Sequence, residues 1–230
     1  REEPSGVLGP DAPRENDVLG LALAVLGEHT HTPDDLYFCM WDGWGTPPAL
    51  RGLPTVTVPE RTYFLIRGAL VDFGDWQTPE RMPTGPGFDP PPPAFIWPAD
   101  HAWCLAFDVD SHCAGIGATP DAIAQLVPHA AAAGVTLAIE PLHPMYAADR
   151  CVINTWDQAM AIAEQHPAGQ VGVTVDTYHL WWDDTVLPKI EAAGDRIAIY
   201  QLADRHHSWT YEWEEPYLRS SEDWVFKNTF

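Results

Sequence analysis

The chain lacks any apolar run approaching the roughly eighteen residues of a membrane span, so no membrane-crossing segment is expected. Basic residues are few: 12 Lys and Arg against 33 Asp and Glu give a formal net charge of -21. Because such a surface would repel phosphates, we expect no nucleic-acid partner. The first residues contain no apolar leader stretch, and a cytoplasmic protein is therefore expected.

Several motifs of catalysis and binding are also absent. The four cysteines include no Cys-x-x-Cys pair, which favours reduced thiols over a disulfide framework. The sequence has no glycine-rich phosphate loop, no serine-nucleophile motif and no basic patch. What is present is a chain of 230 residues, 46% hydrophobic, which is enough for one large domain or two small ones with a buried core.

The first half of the sequence predicts a small α+β region of antiparallel character. Residues 1–17 are polar and rich in proline, which is typical of a flexible tail. Residues 18–118 are assigned to the α+β region, and its proline-rich part at 78–93 predicts a loop or polyproline II segment. A helix is predicted from Asp17 to Gly27, and short strands are predicted at 36–41, 55–58, 63–66, 95–97 and 102–107.

The second half, residues 119–205, alternates between helical and strand-like segments. Its apolar runs are short and rich in Val, Ile and Leu, as in strands buried on both faces, and the helices between them favour parallel pairing. Residues 206–230 form an aromatic and acidic tail. Helices are predicted at 120–133, from a cap at Asn154 or Thr155 to Gln165, and at 185–193, and strands are predicted at 135–140, 171–176 and 196–201.

Each of these three strands ends in a polar residue: Glu140, Asp176 and Gln201. The carboxyl ends of parallel strands open at one edge of a sheet, where ligands bind. Carboxylate and amide oxygens are hard donors that suit Mg or Mn. The sequence therefore predicts a divalent metal site at this edge.

The motifs around these residues resemble a known superfamily. The segments LAIEPLHP at 137–144, VTVDTYH at 173–179 and YQLAD at 200–204 are similar, in this order, to the xylose-isomerase-like TIM barrels. That group holds sugar phosphate isomerases and epimerases, including hydroxypyruvate isomerases and ketose 3-epimerases. The resemblance covers about residues 119–205 and implies strands five to seven of an eight-stranded barrel. Residues 18–118 share a weaker resemblance with an uncharacterised actinobacterial family, which implies no function.

The fold class expected from these observations is α/β: a partial, barrel-like parallel sheet in the C-terminal half, joined to a small α+β N-terminal region. The resemblance implies that Glu140 is both a metal ligand and the catalytic base, and that Asp176 and Gln201 are further ligands. It also implies that His179 contacts the substrate, and that the neighbouring His143 does the same.

The reaction that the resemblance implies moves a proton between carbons beside a carbonyl group, through an enediolate. It needs a carboxylate base and an electrophile, which a metal supplies. The expected function is thus a metal-dependent isomerase or epimerase of a small sugar or hydroxy-carbonyl compound, in carbohydrate metabolism. The superfamily's fourth ligand is a glutamate that ends the eighth strand. The glutamates after Gln201 end no apolar run, namely Glu212, Glu214, Glu215 and Glu222.

This departure keeps an alternative open, in which the chain is a non-catalytic binding protein or a degenerate barrel fused to another region. Enzymatic activity is therefore an open question at this point. Arg205, just after the third strand, is a candidate for binding an anionic substrate group, since arginine suits carboxylate or phosphate; a solvated loop is the simpler interpretation.

Three further groups of residues have a functional and a simpler interpretation. Mixed metal ligands occur at His29, His31, Asp34 and Asp35, and again at Asp108, Asp110, His112 and Cys113, yet polar loops and strand ends explain them more simply. The eleven tryptophans could form a sugar-stacking platform, but packing in a core or at a half-exposed surface is the favoured interpretation.

Overall fold

The structure of the protein is a computed structural model that describes residues 15–44, 50–58, 61–76, 92–107, 113–148 and 151–202. The chain divides into two compact units, Arg1–His101 and Ala102–Phe230. The domain limits inferred from the sequence, at residues 17, 118 and 205, stay predictions. Most of the predicted proline-rich loop and of the N-terminal tail, and all of the predicted C-terminal tail, lie outside the described residues. No helix in the described ranges is long and apolar enough to cross a membrane.

The first unit contains an α-helix and antiparallel strands. The elements are α1 at Glu15–Gly27, β1 at Leu36–Trp41, β2 at Thr55–Val58, β3 at Arg61–Gly68 and β4 at Phe95–Pro98. Neighbouring strands follow the order β2-β3-β1-β4, and each adjacent pair runs antiparallel. This confirms the antiparallel α+β character predicted for this half, while the short 3-10 turns at Asp42–Trp44 and Leu70–Asp75 were not predicted.

Helical and strand periodicity both contribute to the core of this unit. Helix α1 buries positions three and four residues apart, which lie on one face of a helix. Strand β1 buries alternate positions, which lie on one face of a strand. On these faces the buried side chains, none more than 4% exposed, are Leu19, Leu23 and Leu26 of α1 and Leu36, Phe38 and Met40 of β1. Val25 of α1 and Cys39 of β1 are buried as well.

The second unit is built around a parallel sheet. Its elements are β5 at Cys104–Ala106, β6 at Gly115–Gly117, α2 at Pro120–Ala132, β7 at Leu137–Ile139, α3 at Trp156–Ala163, β8 at Val171–Asp176, α4 at Thr177–Leu180, α5 at Val186–Ala193 and β9 at Ile197–Gln201. Strands β5 and β6 form an antiparallel pair, and β7, β8 and β9 form the parallel sheet in that order. Strand β8 lies in the centre of that sheet, and all six of its residues are buried. The parallel sheet predicted for this half is thus confirmed, whereas β6 and the short helix α4 were not predicted.

The starts of two helices follow from their capping residues. The hydroxyl oxygen of Thr119 accepts a hydrogen bond from the Ala122 N–H at 3.3 Å, and Pro120 occupies the first turn of α2. Thr155 and Gln158 form a reciprocal capping box at α3. Both helices therefore begin where the sequence predicts.

The core of the second unit packs the helices against β8. Val171, Val173 and Val175 of β8 belong to one buried cluster with Trp156, Ala159 and Ala163 of the α3 helix. Burial of each valine side chain contributes about 1.5–3 kcal/mol. The strand that ends in Asp176 is therefore held firmly in the middle of the sheet.

Candidate metal centre

Three polar residues stand at the carboxyl edge of the parallel sheet. Glu140 directly follows β7, Asp176 is the last residue of β8, and Gln201 is the last residue of β9. Since β7, β8 and β9 are parallel neighbours, these residues share the edge at which the sequence predicts a metal site.

A register shift between β8 and β9 decides which residue lies beside Asp176. Val173 pairs with Ile197, but Thr174 pairs with Ile199, so Ala198 is an extra residue on β9. As a result Asp176 pairs with Gln201. Without the bulge, the same count would place Tyr200 there, and Tyr200 is instead 60% exposed.

Gly172 provides the space for this bulge. A Cβ atom at position 172 would lie 2.6 Å from the carbonyl oxygen of Arg196 and 2.8 Å from the Cβ of Ala198. Neither neighbour is the end of a flexible side chain, so both would have to move. The absence of a side chain at Gly172 therefore permits the close approach of β9 that aligns Gln201 with Asp176.

Glu140, Asp176 and His179 come together at this edge. Each offers one ligand atom, and these atoms all lie within 4.8 Å of one another. The Nε2 atom of His179 is 3.8 Å from Oδ2 of Asp176 and 4.0 Å from Oε1 of Glu140. Both distances exceed hydrogen-bond length, yet they leave room for a small ligand between the three groups.

The Asp176 carboxylate is deeply buried, with 1% of its side chain exposed. Its Oδ1 atom accepts a hydrogen bond from the Tyr178 N–H at 2.7 Å, while Oδ2 has no hydrogen-bond partner within the described part of the chain. Burial raises the pKa of Asp176 above its ordinary value, and the interactions with the Tyr178 N–H, the Glu140 carboxyl group and the His179 N–H oppose this only in part. A buried carboxylate oxygen of this kind is suited to a cation.

Gln201 offers a second oxygen of the same character. Its Oε1 atom is buried and has no hydrogen-bond partner among the residues described. Together with Glu140 and Asp176, it gives the three strand ends two carboxylates and one amide. The chemistry of these donors fits a hard divalent cation such as Mg or Mn.

His179 is also buried, with 1% of its side chain exposed. Its Nδ1 atom accepts a hydrogen bond from the main-chain N–H of His143 at 3.1 Å. The rings of Tyr146 and Tyr178 meet the His179 ring edge to face, with centroid separations of 5.8 Å and 5.0 Å. These contacts direct Nε2 towards the two carboxylates.

The side chain of His143 belongs to an aromatic wall that the sequence interpretation missed, formed with Tyr146, Tyr178, Trp181 and Trp182. Its ring stacks on Trp181 at 5.6 Å and meets Trp182 edge to face at 6.1 Å. Trp182 donates a hydrogen bond from Nε1 to the His179 carbonyl oxygen at 2.9 Å, and the hydroxyls of Tyr146 and Tyr178 are 3.0 Å apart. The sequence signal was the pair of tryptophans two and three residues after His179.

The other groups singled out in the sequence do not form a second centre in the described residues. Asp35 accepts two hydrogen bonds from Arg67, and the His31 N–H donates to Asp100, as expected of a structured loop. Within the described ranges, the Glu140 group is the only cluster of three or more potential His, Cys, Asp or Glu ligands. Arg205 lies outside these ranges, as do Asp108, Asp110, His112 and the four glutamates after Gln201.

The comparison with family models agrees with the strand-end motifs. Residues 107–214 match the family model of the xylose isomerase-like TIM barrel. No curated protein matches the sequence.

A crystal structure of protein SMc04130 from Sinorhizobium meliloti 1021 is 54% identical over 34% of this chain, with a TM-score of 0.31. The chain spans only 28% of the length of that protein. The resemblance inferred from the strand-end motifs is thus confirmed: residues 107–214 of this chain are similar to a segment of the xylose isomerase-like TIM barrel family.

Proposed function

We propose that the second unit binds a divalent cation and performs the chemistry of a sugar isomerase or epimerase. The observation that carries the proposal is the convergence of Glu140, Asp176 and His179 within 4.8 Å at the carboxyl edge of a parallel sheet. The match of residues 107–214 to the xylose isomerase-like TIM barrel family supports the same reaction class. The substrate would be a small sugar or another hydroxy-carbonyl compound, and the proposed location is the cytoplasm.

Glu140, Asp176 and Gln201 would hold the cation. The buried Oδ2 of Asp176 and the buried Oε1 of Gln201, neither with a hydrogen-bond partner in the described residues, support this assignment. When bound, the cation would supply positive charge beside the substrate oxygens on which negative charge develops. Mg or Mn is the proposed metal, because every donor in the set is an oxygen.

Glu140 is the better candidate for the base. The Asp176 side chain is 1% exposed and is held by the Tyr178 N–H, whereas 12% of the Glu140 side chain is exposed. A base must reach a carbon-bound proton of the substrate and return it to a neighbouring carbon. The more accessible Glu140 suits that task, while Asp176 would stay fixed as a ligand.

His179 would contact the substrate through Nε2, which points into the space between the carboxylates. The His143 ring, stacked on the 45% exposed Trp181, would form an aromatic side of the same site. Arg205 follows β9 and is proposed to bind an anionic group where the substrate carries one.

Cation binding without turnover is the second candidate function. It is favoured by the limited extent of the family match, since residues 107–214 are a segment and a complete barrel typically needs about 250 residues. Under this alternative Glu140, Asp176 and Gln201 still hold the ion, and the acidic chain serves as a binding protein without catalysing a reaction.

Two measurements on the full chain separate these functions. Titration with Mn, followed by melting temperature, tests the ion site, with Asp176→Asn as the disrupted variant and the exposed Asp195→Asn as its control. Exchange of substrate protons with solvent deuterium, followed by NMR on hydroxypyruvate and a ketohexose, tests catalysis. Stabilisation with exchange supports the isomerase, stabilisation without exchange supports the binding protein, and no stabilisation at millimolar Mn contradicts both.

A further inference from the structure

One hydrogen bond determines which nitrogen of His179 can carry a proton. The main-chain N–H of His143 lies 3.1 Å from Nδ1 of His179. A backbone amide nitrogen can only donate, so Nδ1 must be the acceptor and must present a lone pair. In the neutral imidazole the single proton is then on Nε2.

The position of this proton decides between two roles of His179, metal ligand and hydrogen-bond donor, that the distances alone leave open. Nε2 faces Asp176 and Glu140 at 3.8 Å and 4.0 Å, which is where a metal-ligating nitrogen would lie. A neutral histidine binds a metal through an unprotonated nitrogen, and its other nitrogen then carries the proton. The His143 N–H already occupies Nδ1 as a donor, so Nε2 cannot provide a lone pair while that bond exists.

The donor is fixed by the loop that contains it. The carbonyl oxygen of His143 accepts a hydrogen bond from the Tyr146 N–H at 2.9 Å. The preceding Leu142 donates its N–H to the Ile153 carbonyl at 3.0 Å and accepts from the Asn154 side chain at 3.2 Å. With the His179 side chain 1% exposed, water has little access to replace the His143 N–H. The bond is therefore built into the fold.

We propose that His143 is a positioning residue that acts through its main-chain N–H, keeping the proton of His179 on Nε2 so that His179 donates to a substrate oxygen and does not bind the metal. The inference rests on the proposed function for the identity of the acceptor, a carbonyl or hydroxyl oxygen of a hydroxy-carbonyl compound. It excludes His179 from the ligand set, which stays Glu140, Asp176 and Gln201, all binding through oxygen.

The His143 main chain allows a matched pair of variants. Its φ of -52° lies within the range of proline, so His143→Pro removes the N–H with a compatible backbone angle. His143→Ala removes the ring as well but retains the N–H. A difference between these two variants therefore reports the hydrogen bond and not the loss of the imidazole.

The experiment is a long-range proton–nitrogen NMR measurement of the His179 tautomer in the full chain, above the pH at which the imidazole is protonated. The His179 signals among the ten histidines are assigned by their loss in His179→Gln. We expect the Nε2–H form in the unsubstituted chain and in His143→Ala, with and without Mg. In His143→Pro we expect a shift of the tautomer ratio of roughly fivefold or more, the effect of losing one hydrogen bond.

An Nδ1–H form in the unsubstituted chain would overturn the proposal, as would a change to Nδ1–H when Mg is added. An unchanged ratio in a folded His143→Pro would also overturn it. If His143→Pro does not fold, the tautomer of the unsubstituted chain and of His143→Ala decides the question alone. Failure of the proposed function is distinguishable, because it appears as the absence of Mn stabilisation and leaves the tautomer in the metal-free chain unaffected.

Discussion

Asp176 and Gln201 are in register at the ends of adjacent parallel strands because β9 contains one extra residue, Ala198. The pairing brings a buried carboxylate and an amide side chain to neighbouring positions at the edge of the sheet. It depends on the register shift between Val173 and Thr174, next to Gly172, whose lack of a side chain leaves space for β9. Which residue of β9 joins Asp176 at the candidate centre therefore depends on how closely the main chains of β8 and β9 pack.

Gly172→Ala should destabilise the second unit and weaken cation binding. The added methyl group would overlap the Arg196 carbonyl and Ala198, and a forced contact of this kind costs about 1–3 kcal/mol. Urea unfolding gives the loss of stability, and Mn titration gives the loss of affinity. Gly117→Ala is the matched control, because a Cβ at 117 has no neighbour within 4 Å. Equal stability of the two variants would show that β9 accommodates a side chain at 172.

Asp176→Asn should abolish stabilisation by the cation. At a Mn concentration about a hundred times the dissociation constant, binding adds about 2.7 kcal/mol to the unsubstituted chain. The asparagine can still accept from the Tyr178 N–H but brings no negative charge, so the increment should disappear. Melting temperatures with and without Mn measure it, with Asp195→Asn as the surface control. A persisting Mn shift in Asp176→Asn would remove Asp176 from the ligand set.

The metal-free chain should lose stability relative to Asp176→Asn as the pH rises above about 4. Burial raises the folded-state pKa of Asp176 above its ordinary value of 3.8, so the folded state binds more protons than the unfolded state. The free energy of unfolding then falls with rising pH between the ordinary pKa and the raised one, and it levels off above the latter. Urea unfolding of both chains over this range, without metal, measures the difference. A difference that is constant with pH would contradict the raised pKa.

His179→Gln should retain stabilisation by Mn but lose catalysis. A donor to the substrate contributes to proton transfer and not to ion binding, so exchange of substrate protons should slow by about 10²-fold or more. Loss of the Mn shift in His179→Gln would instead place His179 among the ligands.

Glu140→Gln should lose both Mn stabilisation and catalysis, since Glu140 is proposed as ligand and base, and the exposed Glu191→Gln should change neither.

Much of the second unit was predictable because its signals are local. The apolar runs that end in Glu140, Asp176 and Gln201 indicate buried strands, and capping residues such as Thr119 and Thr155 mark where helices begin. The parallel arrangement then follows from the alternation of strands and helices. The strand-end motifs also carried the resemblance that the family match over residues 107–214 confirms.

The aromatic wall and the register of β9 were not predictable from such signals. Trp181 and Trp182 were interpreted as general packing residues because their closeness to His179 in the sequence does not show that the His143 ring contacts both of them. The bulge at Ala198 interrupts no sequence pattern, since Ile197 and Ile199 alternate as in an ordinary strand. Its position is set by contact with Gly172, which is more than twenty residues away in the chain.

The sequence by itself determined the strand-and-helix order of the second unit, the oxygen donors at its strand ends and the family that it resembles. These features depend on residue types within short segments, where hydrophobicity and capping act locally. The tertiary structure alone decided that Gln201 and not Tyr200 aligns with Asp176, and that the His143 N–H meets Nδ1 of His179. Both depend on main-chain atoms that contact residues far away in the chain, and no local pattern of side chains specifies such contacts.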